Sequence, residues 1–240
     1  MSSAAEPQAV PQASGEALAA IRNAFKLGSS LAATWGIALG VRILLPRYLG
    51  PEQFGPMNFA DAFTALVFVF LGLGLETYIR KEIPVRPEHA SDFFGGILLV
   101  RVVLSGAAFA IIALVMEATG RPPEVRVVVY LFAVAQFFVN HGATLAALLQ
   151  AQGSVDGLSI VSVVAKLLWG VGILIALALG AGLVGIAAAF ALSELVRSVA
   201  LTVLARRHLG LRHRWTLRPA FAVIVASLPF FLHTMAITAY

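Results

Sequence analysis

Long apolar runs alternate with short polar breaks along this chain, and each run approaches the roughly 20 residues that a helix needs to cross a bilayer. The runs are Ala24 to Leu45, Met57 to Leu75, Phe94 to Met116, Val127 to Leu149, Leu158 to Leu179 and Leu183 to Ala205. A seventh starts near Pro219-Ala220, where proline suits a first helical position, and is still running at Tyr240. The runs are too long for barrel strands and do not alternate, so helix is the spanning structure that satisfies their backbone. The fold class expected is therefore all-α: a polytopic membrane helix bundle, six helices plus the start of a seventh. Gly180-Ala181-Gly182 is so short a connection that the fifth and sixth spans should pack as an antiparallel hairpin. Before the first span, residues 1–20 are largely Ala, Ser, Pro and Gln, and read as a disordered tail.

The most informative break is PRYLGPEQFG, Pro46 to Gly55. Proline disfavours helix at the residue before it, so Pro46 is expected to stop the first span. Gly50-Pro51 restarts the chain, with Glu52 in the first turn, where the helix dipole favours a negative charge. The second span then ends in LGLGLE, followed by Arg80, Lys81 and Glu82.

Arg47, Leu49-Gly50-Pro51-Glu52, Phe54-Gly55, Leu73-Gly74-Leu75 and Arg80 with Glu82 together resemble a motif of the oligosaccharide flippases of the MOP superfamily (multidrug, oligosaccharidyl-lipid and polysaccharide exporters). The resemblance implies twelve or so helices in two similar lobes and no cofactor. It also implies a lipid-linked oligosaccharide as the substrate, carried through a cationic cavity. On that reading residues 21–205 are a six-helix N-lobe and 206–218 a basic cytoplasmic linker. Residues 219–240 are then the first helix of a second lobe whose remainder is missing.

Composition agrees with a membrane chain. It is 60% hydrophobic and 12% charged, with mean hydropathy +0.90, whereas a soluble domain is about half apolar and about a quarter charged. With no cysteine there is neither a disulfide framework nor a thiolate metal site, and no metal or other cofactor is expected. The net charge of +5 raises nucleic acid as a partner. That is rejected, because most of the charges sit in loops, where they set topology. Arg22, Lys26, Arg80, Lys81, Arg86, Arg206, Arg207, Arg212, Arg214 and Arg218 fall on one side, against Arg47, Arg121 and Arg126 on the other. The positive-inside rule then places the N-terminus in the cytoplasm.

Ionisable residues inside spans are costly, so each is a functional candidate. Arg42 can snorkel to the interface or point into a cavity and bind an anion. Asp61 is a partner for Arg42 or a wet rim residue. Arg101 is expected to snorkel. Asn140 and His141 are adjacent, so they point about 100° apart and cannot both face one cavity. Asn140 can act as helix–helix glue or line the cavity, and His141 is expected to be a packing histidine. Lys166 can hold a point charge in a cavity. Glu194 and Arg197 share a helix face at i, i+3 and either neutralise each other or exchange an ion and meet an anionic substrate.

No P-loop, H-E-x-x-H or G-x-S-x-G motif occurs, so no enzyme is expected. The reading is a flippase of the cytoplasmic (inner) membrane for a polyprenyl-diphosphate oligosaccharide, working by alternating access. Its partners would be the bilayer, the lipid-linked oligosaccharide and a coupling ion, H+ or Na+, with Arg42, Lys166 and Arg197 on the substrate side. The alternatives are a multidrug antiporter of the same superfamily, a membrane-embedded glycosyltransferase or a non-transporting helper subunit.

Overall fold

The computed structural model describes residues 10–72, 74–85, 96–209, 225, 227, 229–232 and 236. Its elements are α1 (Val10–Gly72), α2 (Leu75–Glu82), α3 (Leu98–Ala118), α4 (Pro123–Ala151), α5 (Val155–Ala178) and α6 (Gly182–Leu209). Among the described residues, five helices are long and apolar enough to cross a membrane. The described residues of the expected seventh span are helical too. Residues 210–224, which hold most of the basic linker, lie outside the described residues.

The first two expected spans form one helical run broken at a single residue. Its apolar part, Ala24–Val69, has 46 residues. As a straight rod that would reach about 69 Å, more than twice the hydrocarbon thickness. Gly50 breaks it, at φ 69° and ψ 172°, a backbone region essentially reserved for glycine. The chain reverses there: Ala38 and Asp61 line one cavity, although a straight helix would hold them about 35 Å apart. Pro46 does not stop the first limb, as the sequence suggests; it lies inside the helix. Within one turn of the end, its missing N–H removes only the bond to the Arg42 carbonyl, and Gly50 takes the reversal.

Two further boundaries differ from expectation. The stretch read as a tail through residue 20 is helical from Val10, because its Ala, Leu, Glu and Gln are good helix formers continuous with the span. The second span stops at Gly72, and Leu75 instead opens the short helix α2. Leu75 and Ile79, one turn apart, are fully buried, and Arg80 and Lys81 point away from that face.

The core has two layers along the bundle axis. Leu75, Ile79, Leu145, Leu148, Leu158 and Leu201 fill the end that carries Lys26 and Arg80. Val41, Met57, Ile112, Val129, Ile173 and Ile186 fill the other. The α5–α6 hairpin closes tightly, since a Cβ on Gly172 would stand 3.0 Å from that of Ala189. Small residues at such points let membrane helices pack by van der Waals contact, which replaces the hydrophobic effect as the cohesive force in lipid.

Candidate functional site

Between the two limbs of α1 and helices α4, α5 and α6 lies a cavity of about 450 Å³. Arg42 and Leu45 come from the first limb, and Phe54, Asn58 and Asp61 from the second. Phe132 belongs to α4, Lys166 and Trp169 to α5, and Phe190 to α6. The reversal at Gly50 is what brings Arg42 and Asp61 to one space. Three of the sequence candidates, Arg42, Asp61 and Lys166, therefore share this cavity. Phe54 of the PRYLGPEQFG loop lines it as well, while Arg47, Pro51, Glu52 and Gly55 lie exposed at the turn.

The cavity holds two cations and one carboxylate. Asp61 lies within electrostatic reach of Arg42 and Lys166, yet none of the three makes an ion pair among the described residues. The Lys166 Nζ sits 3.6 Å from the centroid of the Trp169 ring. That cation–π contact fixes the ammonium without neutralising it. Phe190 packs on both Phe132 and Trp169, with centroids 5.6 and 6.4 Å apart, and forms an aromatic wall. Trp169 and Asn58 were not foreseen as site residues. Trp169 was within reach of the sequence, since it lies three residues after Lys166 and so on the same helix face.

Arg197 and Glu194 pair with each other, Nη1 to Oε2 at 3.0 Å. Neither lines the cavity, although both lie within electrostatic reach of Lys166. Their arrangement is the self-neutralised one.

Asn140 belongs to a different cluster. Arg101 does not snorkel: it is 4% exposed and forms an ion pair with Glu76. Its Nη1 also donates to Asn140 Oδ1 at 3.1 Å, and Asn140 Nδ2 donates to the Gln136 carbonyl at 2.9 Å. The reason is orientation. Arg101 faces α2 and α4, where a carboxylate and an amide oxygen are nearer than the interface. The space beside Arg101 and Asn140 is only about 10 Å³. His141 packs with Phe137 and places Nε2 3.4 Å from Thr202 Oγ1.

The arrangement can hold an anion: two cations, one of them clamped on an aromatic ring, face a membrane-embedded space large enough for a small ligand or headgroup. The fold has a counterpart in a MOP superfamily transporter from Pyrococcus furiosus Vc1 (DSM3638), described as having a binding pocket of reverse polarity that suggests a different function. The TM-score is 0.67 at 18% identity, over 90% of this chain and 53% of that one. This chain thus spans about half the length of the transporter it matches. No curated protein matches it. Residues 20–240 match the family described as polysaccharide biosynthesis protein, and because that match takes in nearly the whole sequence, the chain belongs to that family.

Proposed function

We propose that the chain is one lobe of a membrane flippase that moves a lipid-linked oligosaccharide, and that Arg42 and Lys166 meet the diphosphate of the substrate. The observation that carries this is the cavity itself, where two cations and a single carboxylate line one open space. Arginine forks match phosphate oxygens, and lysine adds a mobile point charge. Asp61 keeps the empty cavity from being purely cationic and gives a coupling cation, H+ or Na+, a place to act. Alternating access by rocking of two lobes would move the headgroup while the lipid tail stays in the bilayer. With Lys26 and Arg80 at the cytoplasmic end, the positive-inside rule orients the lobe. The membrane would be the inner one, and no chemical step is assigned to the chain.

A multidrug antiporter is the second reading. It would favour a carboxylate-rich cavity, and the excess of cations here argues against it. The test is complementation of a strain lacking its polysaccharide flippase, with the protein expressed from its complete reading frame. Arg42→Gln and Lys166→Gln should each abolish surface polysaccharide while the protein still reaches the membrane. Full complementation by both variants would sink the proposal. Export of a cationic dye that depends on Asp61 would favour the antiporter instead.

A further inference from the structure

A second, larger groove of about 540 Å³ opens between the first limb of α1 and the start of α5, apart from the Arg42–Lys166 cavity. Its walls are Ala33, Ile160, Val163 and Val164. Ile160 and Val164 are exposed. Lys26 and Asp156 close one end, with the Lys26 Nζ 2.7 Å from each carboxylate oxygen. Ser29, Ser30 and Ser159 supply hydroxyls. Ser29 and Ser30 donate to the carbonyls of Lys26 and Leu27 and keep their acceptor capacity. Ser159 lies beside the groove and is 9% exposed, with its Oγ buried and without a partner among the described residues.

Length and charge narrow what fits. From Lys26 to Ala33, or from Asp156 to Val164, the groove runs about 10–12 Å. That lies within one leaflet, about 15 Å deep. The polar end therefore sits at headgroup level and the apolar walls at acyl-chain level. The ion pair is not saturated. An ammonium has three N–H donors, two of which face Asp156, and a carboxylate accepts about four hydrogen bonds, two of them from Lys26. One donor and about two acceptor sites remain.

We propose that this groove seats a membrane phospholipid with a primary-amine headgroup: phosphate at Lys26, ammonium at Asp156, and one acyl chain between α1 and α5. The remaining Lys26 N–H donates to a phosphate oxygen. The lipid ammonium donates to Asp156. A purely anionic headgroup would gain Lys26 but face the Asp156 carboxylate. A trimethylammonium headgroup has no N–H to give Asp156. A soluble anion would leave the apolar walls without a partner. The site asks nothing of the Arg42–Lys166 cavity, and it requires that this face stay open to lipid beside the second lobe of the flippase reading.

The test is lipid retention by native mass spectrometry. The full chain is extracted from bilayers holding equal parts of phosphatidylethanolamine, phosphatidylcholine, phosphatidylglycerol and a polyprenyl phosphate. Wild type should retain phosphatidylethanolamine about tenfold over phosphatidylcholine, the worth of a charge-assisted hydrogen bond. Asp156→Asn should bring those two lipids level. Ala33→Phe fills the groove without touching the ion pair, and should remove phosphatidylethanolamine while the chain still elutes as a single species. The wild-type ranking decides even if neither variant folds: equal retention of ethanolamine and choline lipids would falsify the proposal. So would retention of phosphatidylethanolamine unaltered in a folded Ala33→Phe. Polyprenyl phosphate that is retained in Lys166→Gln but lost in a folded Ala33→Phe would hand the groove to the carrier lipid and overturn it as well.

Discussion

Arg101 and Lys166 are both cations inside spans of one bundle, and the structure treats them in opposite ways. Arg101 is enclosed: Glu76 neutralises it, Asn140 takes a further N–H, and the adjoining space holds about one water. Lys166 is held on an indole face beside about 450 Å³ of open cavity, with Asp61 and Arg42 near but unpaired. A buried charge that is paired and enclosed ties helices together. On the proposed reading, a charge that is positioned but not neutralised is left for the substrate. The same contrast separates Glu194–Arg197 from Arg42, although both groups qualified equally as intramembrane charges.

The largest expected effect breaks the enclosed cluster. Arg101→Leu leaves the Glu76 carboxylate without its partner and should destabilise the protein by about 3–5 kcal/mol. A detergent thermal-shift assay would show a fall of several degrees or loss of folded protein. The paired replacement Arg101→Leu with Glu76→Leu removes both charges and should recover most of that loss, since apolar pairs often equal buried ion pairs. If the double variant is no better than the single one, Glu76 is not the partner that matters.

The converse experiment acts on the open cluster. Arg42→Gln and Lys166→Gln should cost little stability, within about 1 kcal/mol, because neither removes a paired partner. Substrate binding should weaken roughly ten- to a hundredfold for each, the worth of a charge-assisted contact to phosphate. Measured together, stability and transport should separate the two clusters: Arg101 variants lose the first, Lys166 variants the second. A Lys166→Gln protein that melts far below wild type would mean that the lysine is structural and the contrast is false.

Hydropathy alone made the spans legible, and the polar break at Pro46 to Gly55 made the reversal legible. Position within the apolar runs also picked out Arg42, Asp61, Arg101, Lys166, Glu194 and Arg197 as charges to explain. What the sequence could not supply was azimuth. Each residue turns about 100° from the last, so an error of one in helix rotation moves a side chain from cavity to lipid. That is why Arg101 read as a snorkelling residue. Its partner Glu76 lies 25 positions earlier in what looked like a loop, and only the short helix α2 turns that carboxylate inward. For the same reason Asn140 could be read as helix–helix glue or as a cavity residue, and its amide oxygen faces Arg101.

The reversal itself can be tested. Gly50→Ala meets no neighbour, since nothing lies within 4 Å of the added Cβ, so any cost is backbone strain. At φ 69° and ψ 172° that cost should be about 1–3 kcal/mol. Because the turn also sets Arg42 against Asp61, binding should weaken along with stability. Gly50→Ala should thus be the one change in this series that lowers both readouts together.

The smallest effects grade the ion pairs by burial. Glu117 and Arg126 pair at 2.7 Å, but the Glu117 side chain is 67% exposed, so Glu117→Gln should change stability by about 0–1 kcal/mol and fade further in salt. Glu194 is 14% exposed. Glu194→Gln leaves Arg197 a neutral acceptor in place of a carboxylate, and should cost roughly 1–2 kcal/mol. It should also do something that Glu117→Gln cannot. With Glu194 neutral, Arg197 becomes a third uncompensated cation within reach of Lys166, so an anionic headgroup should bind about two- to threefold more tightly even as the protein becomes less stable. Weaker binding in Glu194→Gln would mean that Glu194 acts on the substrate or its coupling ion directly, and would move it from the enclosed class into the open one.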